Sequence, residues 1–208
     1  VRGVTKRGYH HGNLRQALVE ASVDLIAAQG PTGFTLAEAA KAAGVSGAAP
    51  YRHFAGREDL IAEVARQGYD LLADVLEHAY DDGRPAPLAA FEATGRAYLA
   101  FARRFPGHYI AMFESGIAPG HSPELATAAD RATRVLTRAA EALSARIPPD
   151  RRPPPAMFAA HVMALSHGIV ELHARGKPGA RAPFTPEDLL ETGIGIYLRG
   201  LGLIEPDR

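Results

Sequence analysis

Apolar positions recur three and four residues apart through most of this chain, and no useful length of it alternates with period two. The pattern predicts helices and no sheet. Leu14, Leu18, Ala21 and Leu25, widened by Ala17 and Ile26, mark a first helix that Asn13 can cap and Gln29-Gly30-Pro31 ends. Thr35 with Glu38 three residues later spells a capping box, and Phe34 stands before it to pack back on the first turn. Leu36, Ala39, Ala40 and Ala43 give an alanine-rich second helix its apolar side. Gly44 ends it, because glycine takes the left-handed conformation without steric strain. Val45 is the expected plug of a tight turn. Ser46 is the expected cap of a further short helix, which tolerates Pro50 in its first turn and is anchored by Phe54.

A long helix follows from Arg57 to about Tyr80, with Leu60, Ile61, Val64, Leu71, Leu72, Val75 and Leu76 on its buried side. Residues 81–85 break it. The stretch 87–105 repeats the pattern with Leu88, Phe91, Tyr98, Leu99, Ala102 and Phe105, and Phe105-Pro106-Gly107 bends the chain before a short aromatic segment, 108–113. After a loop at 116–123, Leu125, Ala132, Leu136, Ala139 and Leu143 carry a helix to about Arg146. A proline-rich connection, 147–155, leads to two last helices at about 156–175 and 186–202. Gly168, Gly193, Gly195 and Gly200 lie inside those helical patterns, at about 1 kcal/mol each relative to alanine. Close helix–helix approach is one reason to tolerate them. The expected fold is all-α.

Helix, glycine turn and short second helix over residues 34–57 form the helix-turn-helix pattern, whose second helix enters the DNA major groove. The stretch TLAEAAKAAGVSGAAPYRHFAGREDL resembles the DNA-binding signature of the TetR family of bacterial transcriptional regulators, through Thr35, Gly44-Val45-Ser46, Tyr51, His53-Phe54 and Arg57-Glu58-Asp59-Leu60. The resemblance is sharp over residues 10–65 and weaker beyond. It implies a three-helix DNA-binding domain at 1–56 and a ligand-binding and dimerisation domain at 57–208. Ser166-His167-Gly168 is similar to the Trp-His-Gly motif of one subgroup, without its tryptophan.

The resemblance also implies contacts. Thr35, Ser46, Tyr51 and His53 match positions that touch phosphates, and Arg57 suits the same role. For Tyr51 the alternative is packing within the domain, and for His53 a surface position. Gly47, Ala48 and Ala49 occupy the groove-facing turn, where they permit close backbone approach and contact with a thymine methyl. Arg52 is the one long donor there; it takes a guanine bidentately, or contacts a phosphate, or faces solvent. Residues 1–12 read either as a frayed terminus or as an arm reaching DNA with Lys6 and Arg7. Adjacent His10 and His11 lack further ligands, so no metal is expected.

Composition and charge change this picture in four ways. At 208 residues, 47% hydrophobic and 22% charged, the chain can build a core of useful size. It has no cysteine, which removes disulfides, thiolate metal sites and cysteine nucleophiles. With no signal-peptide pattern and no apolar run of membrane-span length, a cytoplasmic protein without a membrane partner is expected. The zero net charge divides: residues 1–57 hold seven basic and three acidic residues, +4, and the remainder carries −4. A basic head on an acidic body suits attraction to backbone phosphate with resistance to coating DNA non-specifically.

Beyond the head, Tyr98, Phe101, Phe105, Tyr109, Met112, Phe113, Phe158, Met163 and His167 are candidate pocket residues for a small, largely apolar effector; each alone reads equally as core. His167 and Glu171 share a helix face as a metal pair, a ligand clamp or a bundle hydrogen bond. The resemblance implies a homodimer through the last two long helices, bound to an approximately palindromic double-stranded operator. No cofactor is expected. An enzyme is disfavoured by the absence of a Glu-x-x-His pair and of a phosphate-binding glycine loop. An adaptor whose helix-turn-helix binds protein is the third alternative.

Overall fold

The computed structural model describes residues 11–174 and 183–204. Its elements are α1 (His11–Gln29), α2 (Leu36–Ala42), α3 (Arg57–Tyr80), α4 (Pro87–Arg104), α5 (Pro106–Phe113), α6 (Pro123–Ser144), α7 (Pro155–Ile169) and α8 (Pro186–Gly200). One 3-10 turn, Pro50–Arg52, follows α2, and α7 runs on as a π turn, Val170–Ala174. No strand occurs among the described residues. The all-α expectation holds.

The helices gather into two compact units. One takes the chain up to Gly68 together with Gly107–Ala126, and the other takes Tyr69–Pro106 and the chain from Thr127 onward. This division differs from a boundary at residue 56. The first turns of α3 bury Leu60, Ile61 and Val64 in the first unit, so that stretch is part of its core.

In the first unit, α1 begins at His11, ahead of Asn13, so Asn13 lies within the helix rather than at its cap. The buried side is Leu14, Leu18, Val19, Ser22 and Ile26, rotated from the expected stripe; Ala21 and Leu25 are only half-buried. A buried serine is tolerable because its hydroxyl donates to the Leu18 carbonyl at 2.7 Å. Phe34, Leu36, Ala39, Ala40 and Phe54 complete this core. A Cβ on Gly107 would collide with the Val23 carbonyl, so glycine lets α5 press against α1.

In the second unit, Phe91, Tyr98, Leu99 and Phe101 of α4 pack with Val135, Ala139 and Leu143 of α6, Phe158 of α7, and Leu190, Ile194 and Leu198 of α8. Arg131 pairs with Asp70 and Asp74, Arg138 with Glu77, and Arg103 with Glu187. Such partly exposed pairs contribute at most about 1 kcal/mol each, so apolar burial holds the unit together. Against the sequence expectation, Pro155–His173 is long and apolar enough to cross a membrane by length and composition, with mean hydropathy 1.2. Only 22% of that window is buried within the chain.

Candidate functional site

The first motif helix is capped at both ends. The Thr35 N–H donates to the Glu38 carboxylate at 2.8 Å, and the Glu38 N–H donates to the Thr35 hydroxyl at 3.2 Å. The Thr35 hydroxyl and the Thr35 N–H, both donating to the Glu38 carboxylate, hold it below its usual pKa. At the other end, Gly44 has φ +70°, and the Gly44 and Val45 N–H groups donate to the Lys41 and Ala40 carbonyls. That is a Schellman closure.

The second motif helix is shorter than the sequence pattern predicts. Ser46 to Ala49 is a turn closed by the Ala49 N–H on the Ser46 carbonyl at 2.9 Å, and only Pro50–Arg52 is helical, as a single 3-10 turn. Its N-terminus is Ala49, without a side-chain cap, so Ser46 does not cap it. Pro50 supplies no N–H with which to extend the helical ladder. Val45 is half-buried rather than a buried plug. Pro50, fully inside, and Phe54 anchor the segment instead.

This geometry leaves Ser46, Gly47, Ala48, Tyr51 and Arg52 facing solvent, with Ala49 half-buried. Tyr51 is 64% exposed, so it is not a core tyrosine. Thr35, Tyr51 and Arg57 line one open hollow of about 580 Å³ with Ala55, Gly56 and two acids of the first turn of α3, Glu58 and Asp59, the latter already holding the Ala55 N–H. Hydroxyls and N–H groups at a helix N-terminus can receive a phosphate, while the carboxylates of Glu58 and Asp59 on the same hollow oppose one. Two of the three already have partners. The Thr35 hydroxyl donates to Glu38 at 2.9 Å, and the Arg57 Nη1 donates to the carbonyls of Thr32 (3.2 Å) and Phe34 (3.3 Å). Arg57 Nε is buried without a hydrogen-bond partner. Arg57 therefore fastens the turn before α2 to the start of α3. Lys6 and Arg7 lie outside the described residues.

His53 lies elsewhere. It lines a polar cleft of about 530 Å³ with Arg15, Asp59, Glu63, Arg66 and His121. Glu63 is 7% exposed and sits within 2.9 Å of Arg15 and 2.8 Å of Arg66, and Gln67 donates to it at 2.9 Å. Burial would push this carboxyl up, but the hydrogen bonds from Arg66, Arg15 and Gln67 outweigh it and bring the pKa to about 2. His121 Nε2 meets Asp59 Oδ1 at 3.2 Å, while Asp59 Oδ2 accepts from the Ala55 N–H at 3.1 Å. Sequence reading missed this cluster. The available signal was an acid, Glu63, placed beside Ile61 and Val64 in an apolar stripe with an arginine three residues on.

The nine candidate pocket residues divide between the two units. Tyr109, Met112 and Phe113 belong to the first unit, where Tyr109 and Phe113 place their rings 4.9 Å apart. In the second unit, Phe101 packs on Phe105 at 5.5 Å, and Phe158 stacks between Phe91 and Tyr197 at 5.6 Å each. A cavity of about 30 Å³ lies between α4, α6 and α7, and of the nine only Tyr98 and Met163 line it. Phe91, Leu136, Ala140 and Val162 supply apolar wall; Thr94 and Ser166 add hydroxyls. Sequence reading proposed neither as a pocket residue, although each is a polar residue on an apolar helix face. His167 stands behind the wall, its Nδ1 2.9 Å from the Tyr98 hydroxyl. Among the described residues no group of three or more metal-binding side chains occurs, and His167 bonds to Tyr98 across the helices.

Known proteins match this arrangement. A model of the tetR family of bacterial regulatory proteins matches residues 18–64, and one of a tetracyclin repressor-like C-terminal domain matches residues 91–197. A protein of unknown function from Rhodococcus sp. RHA1 is similar at 28% identity and TM-score 0.77, covering 94% of this chain and 99% of its own. The TetR family transcriptional regulator PfmR from Thermus thermophilus shares the fold at 19% identity and TM-score 0.64, over 88% of this chain and 98% of its own. AibR, solved with isovaleryl coenzyme A and operator DNA, does so at 21% identity and TM-score 0.67, over 88% and 96%. No curated protein matches the chain.

Proposed function

Since this chain belongs to the TetR family, whose members are DNA-binding transcriptional regulators, we propose that it is a repressor that binds an approximately palindromic operator as a homodimer and is released by a small molecule. The observation that carries the DNA reading is the exposed surface of the motif. Ser46, Gly47, Ala48, Tyr51 and Arg52 stand clear of the core, beside a hollow lined by Thr35, Tyr51 and Arg57. Small residues admit the backbone to the groove, Arg52 reads a base, and Tyr51 with Thr35 holds phosphate. His53 and Arg57 act mainly from within, since one lines the polar cleft and the other bonds the carbonyls of Thr32 and Phe34. Lys6 and Arg7 of the arm add phosphate or minor-groove contacts.

Pairing through α7 and α8 is supported by what those helices leave uncovered. Met157, Leu172 and Ile196 are half or more exposed, and a Cβ on Gly168 or Gly200 would meet nothing within 4 Å. Gly193 alone of the four helical glycines is packed tightly within the chain, against Leu165. A second copy of the same face covers both the apolar side chains and the glycines, which accounts for a helix so apolar and so little buried. The protein works in the cytoplasm and has no catalytic activity.

The effector occupies the second unit, beside Tyr98, and the DNA meets the part of the chain before residue 57. The continuous helix α3 belongs to both units and links the two events. By linkage, ligand and DNA weaken each other by the same factor, typically about 1–3 kcal/mol. The test is selection of duplex DNA from a random pool by the purified protein, followed by binding at several salt concentrations. A recovered inverted repeat with steep salt dependence is expected. Recovery of no sequence, or salt-independent binding, sinks the reading.

A further inference from the structure

We propose that the compound received by the second unit is small, uncharged and largely apolar, with one hydroxyl or carbonyl group that bonds to the Tyr98–His167 pair. The idea deepens the effector reading above and rests on it for the consequence at DNA, though not for binding itself.

The wall argues for neutrality. No residue lining the cavity carries a formal charge, and Phe91, Leu136, Val162 and Met163 are among those that make its wall apolar. An ionised ligand group entering there loses its hydration without a counter-charge, at several kcal/mol. The same wall offers nothing to the phosphates of a coenzyme A thioester, the class of ligand solved with AibR.

Polarity is confined to a few hydroxyls. That of Thr94 turns back to donate to the Phe91 carbonyl at 2.6 Å. That of Tyr98, a residue only 2% exposed, shares a 2.9 Å bond with His167, and Ser166 of the same cavity immediately precedes that histidine. A phenol both donates and accepts, and a neutral imidazole does either according to its tautomer. The pair can therefore reorganise around a ligand carbonyl or a ligand hydroxyl. This pole sets which end of the ligand enters first.

At about 30 Å³ the cavity holds little more than one water, so a ligand must widen it. The structure has local means to do so. Met163 is an unbranched, adaptable wall residue. Two residues beyond Gly168, α7 changes to the π turn Val170–Ala174, a departure from the regular ladder that recurs at functional sites. Movement of α7 near His167 carries the polar pole with it.

The test uses ligand-observed NMR on the full-length protein with three probe sets: alkylphenols and alicyclic ketones; benzoates and alicyclic carboxylates of the same size; and short acyl coenzyme A thioesters. The same probes are then added to the protein–operator complex. Binding is expected from the neutral set alone. Tyr98→Phe should weaken phenols and ketones about tenfold, as loss of one hydrogen bond gives, yet leave the matching alkylbenzenes unchanged. Ala140→Val, which narrows the cavity, should weaken all of them. Circular dichroism shows whether each variant is folded, and the alkylbenzenes report the cavity when Tyr98→Phe is folded but altered. Tighter binding of carboxylates or thioesters overturns the proposal, as does absence of any neutral binder sensitive to Ala140→Val. Neutral probes that bind as expected without releasing DNA uphold the ligand class and overturn the release mechanism alone.

Discussion

The two units place their candidate site residues in opposite environments. In the first unit Tyr51 and Arg52 project from a short turn into solvent, and the folding energy comes from other side chains: Phe34, Phe54, Leu60 and the ion cluster around Glu63. In the second unit the cavity wall is the core. Phe91 and Tyr98 line the space and are themselves almost fully buried. Function and stability are therefore separable in the first unit and entangled in the second. Under the proposed function, such a regulator can change the DNA it reads by surface substitution, but changing its ligand means repacking a core.

Substitutions can break that contrast. The largest effect is expected from Phe158→Ala, which removes a fully buried ring stacked between Phe91 and Tyr197. Stability in urea should fall by about 3–5 kcal/mol. A loss under about 1 kcal/mol would mean the second unit collapses around the hole and its cavity is not a rigid core feature.

Next is Glu63, the buried charge of the first unit. Glu63→Ala should cost about 2–3 kcal/mol, less than a fully buried pair because Arg15 and Arg66 can turn to solvent. The folded pKa of about 2 lies below the unfolded carboxylate value of about 4.3. The stabilisation is thus complete above the unfolded value and is lost as pH falls from there toward about 2. Acid titration of folding should show a smaller decline over that window in Glu63→Gln than in the parent. An identical decline would mean the carboxylate is not held by its arginines.

The exposed residues should behave differently. Arg52→Ala is expected to relax preference at one base pair per half-site by about 1–3 kcal/mol with the urea midpoint unchanged. Uniform weakening across sequences moves Arg52 to a phosphate. Tyr51→Phe should weaken all sequences alike, again without a stability change. Arg57→Ala tests the exception: because Arg57 bonds the carbonyls of Thr32 and Phe34, it should lower both stability and affinity.

The smallest expected effect is Thr35→Ala, about 1 kcal/mol of stability from the lost cap of α2. Thr35→Ser keeps the cap. If Thr35→Ser retains stability and DNA affinity while Thr35→Ala loses both, the cap and the phosphate contact share one hydroxyl.

Much of this molecule is legible along the chain. Thr35, Glu38 and Gly44 specify α2 completely, because a capping box and a Schellman closure are made between residues at most five positions apart. The Gln29-Gly30-Pro31 break and the unbroken run from Arg57 to Tyr80 are legible for the same reason. The recognition segment reads along the chain as more helical than it is. Its helical signals are present, but Pro50 cannot donate to the ladder and the turn at Ser46–Ala49 closes on itself.

Only tertiary packing decided the rest. Tyr98 meets His167 across 69 positions of sequence, and Arg15 meets Glu63 across two helices; neither pairing leaves a local trace. The cavity was further still from view: the candidate pocket set includes Tyr98 and Met163 of its lining residues and misses Phe91, Leu136, Thr94 and Ser166. Helices and caps follow from hydrogen bonds between near neighbours in the chain, which a sequence sets out in order. A cavity exists where side chains of α4, α6 and α7 jointly fail to fill the space between them, and that failure belongs to no one of the three helices.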